Sequence, residues 1–304
     1  MHAASYRLTA TLLLALLALS LPGCVGMVHG LHSRKVLYEE KYLARDPGTG
    51  LLLGGEPFFF PGYDNGKAVL LIHGFADTPY DLRPLGEYLA AHGITACAPL
   101  LKGHGTSAKD MEKTGWRDWI VEPESALKEL SSKHKKVYLA GFSMGGSIAI
   151  DLASRYEVAG VILLAPSIFM LGRDRLVTTE TAIKRLSWFV NTDFIINSEE
   201  EAAYDMEALK GRVAYRLFPV KSLRSLVEYM EITRGKLKAV DEPVLVIQSV
   251  NDDTVDAAGP DYVMENVSSE YREVFWVERS KHLLTLDAER ERVFSKTYEF
   301  ISKL

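Results

Sequence analysis

A chain of 304 residues, 47% hydrophobic and 25% charged, has enough apolar content for a sizeable buried core. Its formal net charge of −5, with both signs interspersed, offers no basic face for nucleic acid. With two cysteines, no cluster at metal-ligand spacing and no nucleotide fingerprint, neither a disulfide framework, a metal nor a cofactor is expected.

The opening segment, "MHAASYRLTATLLLALLALSLPGC", carries one positive charge, Arg7, and then an apolar run from Leu8 to Leu21. That run is too short to span a bilayer comfortably and fits the apolar region of an export signal over residues 1–23. It ends in Leu21-Pro22-Gly23-Cys24, which resembles the bacterial lipoprotein lipobox; Pro22 departs from the small or aliphatic residue usual there. The resemblance implies cleavage before Cys24, lipidation of its thiol and attachment to a membrane on the periplasmic or outer side of the envelope. An ordinary signal peptide with a chance cysteine, or an uncleaved anchor, is the alternative.

Residues 24–60 read as a tether and lead-in, with an early strand around Leu51–Leu53 or Phe58–Phe60. From residue 61 onward, apolar runs alternate with helical stretches. Strands are predicted at Ala68–Gly74, Ile94–Leu100, Lys136–Gly141, Gly160–Pro166, Pro243–Ser249 and Glu273–Glu278. Most are continuously apolar, as strands covered on both faces should be. Helices are predicted at Tyr80–His92, Trp116–Lys133, Ser147–Arg155 and Ala288–Lys303. This alternation implies an α/β domain over 61–304, with a mainly parallel sheet and helices on both faces. Cys97, in "ITACAPLL", reads as a small buried hydrophobe. Between the fourth and fifth runs, about seventy residues (roughly 168–242) exceed a plain crossover and read as an inserted helical cap, with helical patterning at Thr179–Val190 and Leu223–Glu231.

The chemistry gathers at the ends of the strands. In "VYLAGFSMGGS", glycines stand two residues either side of Ser143, so a strand can turn sharply into a helix with the serine exposed at the bend. The helix N-terminus behind it offers free N–H groups to a developing negative charge. A serine hydroxyl needs a base, and the base needs an orienting acid. Of the eight histidines only His282 follows Ser143. In "VLVIQSVNDDTVD" the acid is Asp252, with Asp253 as the open alternative and Asp256 nearby. In "LLIHGF" the Phe75 N–H joins that of Met144 as an oxyanion donor, while His73 packs in its loop and His104, in "KGHGTS", braces another.

Together, "HGF" (73–75), "GHGTS" (103–107), "WRDW" (116–119), "GFSMGG" (141–146), "NDDTVD" (251–256) and "SKHLLTLD" (280–287) resemble the α/β-hydrolase superfamily, and within it the bacterial carboxylesterase and monoacylglycerol lipase branch. The resemblance implies Ser143 as nucleophile, Asp252 as acid, His282 as base, and Phe75 with Met144 as oxyanion donors. Lys281 stands where that branch has a glycine. The implied activity is carboxylic-ester hydrolysis on short to medium acyl esters, with a small-molecule ester or lipid as partner. A serine aminopeptidase or acyltransferase on the same triad is the alternative within enzymes, and an inactive membrane-tethered scaffold is the alternative outside them.

Overall fold

The computed structural model describes residues 43–63, 66–172, 179–181, 183, 194–196 and 203–304; the stretch read as an export signal and Cys24 lie outside them. The predicted apolar runs form the central strands. β2 (Lys67–Ile72), β4 (Lys136–Phe142), β5 (Gly160–Leu164) and β8 (Val244–Ser249) are buried along nearly their whole length. Both faces of these strands meet apolar layers, so the polarity does not alternate. The seven strands run in the order β1-β3-β2-β4-β5-β8-β9, with β1 (Phe58–Phe60), β3 (Thr95–Ala98) and β9 (Arg272–Val277) completing the sheet. Only β1 is antiparallel, pairing Phe58 with Ala98 and Phe60 with Ala96.

The strand period of two divides the core. Ala68, Leu70 and Ile72 of β2 face one layer, whereas Val69 and Leu71 face the other. The first layer is closed by α2 (Val121–Lys133), α3 (Met144–Ala153), α4 (Val220–Lys236) and α5 (Gly259–Asn266); the second is closed by α1 (Arg83–Ala91) and α6 (Arg290–Lys303). All ten residues of α3 are buried, which explains its small, apolar composition.

Boundaries differ from the sequence reading where proline intervenes. The stretch Tyr80–His92 divides into a 3₁₀ turn at Pro79–Leu82 and α1, each with a proline in its first turn. Trp116–Lys133 divides at Ile120, just ahead of Pro123, into a short turn at Trp116–Trp119 and α2. The helix expected from Ser147 begins three residues earlier, because tertiary packing overrides the weak helix propensity of Gly145 and Gly146. In the lead-in, the Leu52 N–H donates to the Gly105 carbonyl at 2.8 Å, so this stretch already packs on the domain before β1 joins the sheet.

Between β5 and β8 the described residues hold a helical turn at Thr179–Thr181, an antiparallel pair of β6 (Phe194–Ile196) with β7 (Leu217–Pro219), and α4. The remainder of the patterning at Thr179–Val190 lies outside the described residues, apart from Ile183. The insertion meets the main sheet at its carboxyl end: Met170 bridges to Val255, and the Tyr215 N–H donates to the Ala76 carbonyl at 2.8 Å.

Candidate active site

Five adjacent strands, β2, β4, β5, β8 and β9, run at their carboxyl ends into the segments carrying Phe75, Ser143, Ser167, Asp252 and His282. Open parallel sheets build their sites at that edge. Ser143 has φ 52° and ψ −117°, a conformation costing about 1–3 kcal/mol for a residue with a side chain. Neighbouring backbone holds it there: its N–H donates to Leu164 O at 2.9 Å, and its carbonyl accepts from Gly146 at 2.9 Å and Ser167 at 3.1 Å. A Cβ on Gly141 would lie 2.1 Å from the Gly145 carbonyl oxygen, and one on Gly145 would lie 2.0 Å from that of Ile72. The elbow therefore admits no side chain at either position.

His282 Nε2 lies 3.0 Å from Ser143 Oγ, and its Nδ1 lies 2.8 Å from Asp252 Oδ2. An ionised carboxylate only accepts, so the ring proton resides on Nδ1 and Nε2 is free to accept from the serine hydroxyl. Asp252 is held in turn: Oδ2 accepts from Gln248 Nε2, and Oδ1 from the N–H groups of Thr254 and Val255, all at 2.9 Å. Asp253 instead faces Lys281 at 3.5 Å, and Asp256 caps the Ala258 N–H at 3.0 Å. Burial alone would lower the His282 pKa. The Asp252 charge and hydrogen bond, followed by Asp253 and Asp77, outweigh it and raise the group above its ordinary value. Burial raises the Asp253 carboxyl, with Lys281 and His282 opposing.

Met144 heads α3, where backbone N–H groups have no intrahelical acceptor. Among the described residues, neither its N–H nor that of Phe75 has a hydrogen-bond partner. The Phe75 loop is fixed from below by His73, whose Nδ1–H donates to Gly74 O at 2.9 Å while Nε2 accepts from the Leu101 N–H at 3.1 Å. Burial, with His104 second, holds His73 well below its ordinary pKa, so it stays a neutral brace. His104, pulled down to about 4 by burial, stacks on Tyr215, whose hydroxyl accepts from the Thr106 N–H at 2.8 Å and donates to Gly103 O at 2.9 Å.

From the insertion side, Arg212 donates Nε to both Asp81 oxygens at 3.0 and 3.1 Å, and Nη2 to Asp81 at 2.8 Å and to Asp77. Thr78 Oγ1 donates to Val213 O at 2.7 Å, and the Phe75 ring meets Phe218 edge-on at 5.3 Å. The Asp287 carboxylate accepts from the N–H groups of Lys281 at 2.7 Å and of Tyr204 and Asp205 at 2.9 Å, tying the histidine loop to the insertion. Lys281 replaces the expected glycine without entering the left-handed region. Sequence reasoning assigned no role to Ser167, Asp77, Arg212 or Asp287. Asp287 ends the SKHLLTLD run, but spacing carries no sign that it gathers amides from 83 and 82 residues away. Cys97 is part-buried rather than fully buried; its thiol is pushed up to about 11 by burial, which disfavours the thiolate.

A strained serine on an elbow, backed by a buried histidine and an anchored aspartate on this sheet, defines a serine hydrolase of the α/β-hydrolase fold. The family described as serine aminopeptidase, S33, matches residues 64–289, and the chain belongs to that family. It is 30% identical over 255 residues to a thermostable monoacylglycerol lipase of Bacillus sp. (strain H-257), covering 83% of this chain and 96% of that one. It is 27% identical over 250 residues to a carboxylesterase of Bacillus subtilis (strain 168), covering 82% and 97%. Among solved structures, a metagenome-derived lipolytic enzyme superposes with a TM-score of 0.73 at 26% identity, over 84% of this chain and all of the other.

Proposed function

We propose that this protein is a serine carboxylic-ester hydrolase working through an acyl-enzyme on Ser143. The observation that carries the reading is the unbroken relay from Ser143 Oγ through the His282 ring to Asp252, at 3.0 and 2.8 Å. Ser143 Oγ attacks the ester carbonyl carbon as its proton passes to His282 Nε2, and the carbonyl electron pair moves onto oxygen, facing the Phe75 and Met144 amides. Collapse expels the alcohol with the proton from His282. Water then repeats the sequence on the acyl-enzyme and releases the acid.

The monoacylglycerol lipase and carboxylesterase relatives support carboxylic esters, including monoacylglycerols, as substrates, and short to medium acyl chains are part of the same reading. A neutral substrate is favoured over one carrying a free amine. Among the described residues, the carboxylates besides Asp252 whose charge reaches His282 are Asp253 and Asp77, and each already faces a cation, Lys281 and Arg212 respectively. The apolar run before Cys24 supports export and lipid attachment as part of the same reading; loss of membrane association in Cys24→Ala would bear it out, and unchanged association would end it.

Hydrolysis of p-nitrophenyl esters from acetate to palmitate by residues 25–304, beside the Ser143→Ala variant, tests the activity. Turnover peaking at one acyl length and falling by about 10⁶ in the variant is expected. Folded protein that hydrolyses none of them, or preferential cleavage of an aminoacyl p-nitroanilide, would overturn the ester reading.

A further inference from the structure

Ser167, the third residue after β5, places its hydroxyl oxygen 3.2 Å from Ser143 Oγ. It is 4% exposed, and its backbone is clamped on both sides to the elbow. The N–H donates to the Ser143 carbonyl at 3.1 Å, and the carbonyl accepts from Ser147 Oγ, one turn into α3, at 3.1 Å. Either serine could in principle donate across this contact, but the rest of the relay decides which does. Asp252 fixes the proton of His282 on Nδ1, so Nε2 must accept, and the single hydroxyl hydrogen of Ser143 is committed to it. The remaining donor is Ser167.

We propose that Ser167 is a further catalytic residue, a buried hydroxyl donor to the nucleophile oxygen itself. This inference rests on Ser143 being the nucleophile. As the Ser143 proton leaves for His282, Oγ gains negative charge and the hydrogen bond from Ser167 strengthens, because charge-assisted bonds are the stronger kind. In the acyl-enzyme, Oγ is an ester oxygen and a poor acceptor, so the bond weakens. When deacylation returns the C–O electron pair to Oγ, it strengthens again, and His282 then reprotonates Oγ. Ser167 keeps its own proton throughout. The bond is thus weakest in the covalent intermediate and strongest as charge builds on Oγ, the pattern that lowers barriers on both sides of the intermediate.

Stopped-flow kinetics with a p-nitrophenyl ester separates the two half-reactions. Ser167→Ala is expected to slow acylation and deacylation each by about tenfold or more, with substrate affinity and melting temperature unchanged. Ser167→Thr, which retains the hydroxyl, should recover most of the loss. Fluorophosphonate labelling, which needs only attack by Oγ, should slow in step with acylation. Rates within twofold of wild type in Ser167→Ala, or a threonine variant no better than alanine, would overturn the role while wild-type burst and labelling still supported Ser143. Absence of labelling in the folded wild-type protein would instead remove the nucleophile, and the inference with it.

Discussion

At the scale of single residues, the distribution of carboxylates around one imidazole decides the chemistry. Asp252 contacts Nδ1 and is anchored by three donors, whereas Asp253 turns to Lys281. Asp252→Asn should therefore lower kcat by about 10⁴, since an amide can stabilise the wrong tautomer, and Asp253→Asn should change it little. The two kcat values measured side by side check this; equal losses would contradict the assignment. Protonation gives a second test. His282 must be neutral to accept the serine proton, so activity rises with pH through its pKa. That pKa is raised, so the acid limb of kcat/KM should have its midpoint above 6.5. Removing the Asp77 charge in Asp77→Asn withdraws one stabiliser of the imidazolium and should move the midpoint down; a pH–rate profile showing no movement would refute the coupling. Both aspartates stood within one run of sequence, and spacing favoured Asp252, but only the direction of each side chain separated them.

At the scale of elements, the elbow is held by contacts that admit no side chain. The 2.0 Å separation between a Cβ at position 145 and the Ile72 carbonyl oxygen cannot be relieved by rotating a side chain, because both groups are backbone. Gly145→Ala should destabilise the fold by on the order of 3 kcal/mol, read as a lower urea midpoint with the slope unchanged. A midpoint matching wild type would show that β2 and α3 can separate without cost. The pattern of glycines around Ser143 announced this turn in advance. The same pattern did not show that α3 begins at Met144, since glycine is a poor helix former and the helix there depends on its complete burial. Strand positions were readable because continuously apolar runs of this length are uncommon outside a sheet covered on both faces, and the prolines at 79, 84 and 123 account for the helix boundaries that shifted.

At the scale of the whole molecule, Arg212 joins the insertion to the loop after β2 through two buried acids. Its side chain is 5% exposed and that of Asp81 is fully enclosed. Replacing Arg212 with methionine leaves both carboxylates without their cation and should cost about 3–5 kcal/mol. Thermal unfolding of the variant checks this, and a melting temperature within a degree of wild type would mean that the acids find other partners. Asp287 performs a similar task with neutral donors, gathering amides from the histidine loop and from Tyr204 and Asp205.

The sequence alone determined the alternation of strands and helices, the elbow at Ser143 and the histidine that serves it, because each rests on local rules: apolar periodicity, the steric freedom of glycine, and a histidine with no rival after the serine. Tertiary structure decided which aspartate faces the imidazole, that the Ser167 hydroxyl touches Ser143 Oγ, and that Arg212 pairs with Asp77 and Asp81. These are contacts between residues 24 to 135 positions apart, apart from the choice between two adjacent carboxylates. No local rule carries them, since they arise only when neighbouring strands of the sheet bring their carboxyl ends together and the insertion packs against that edge.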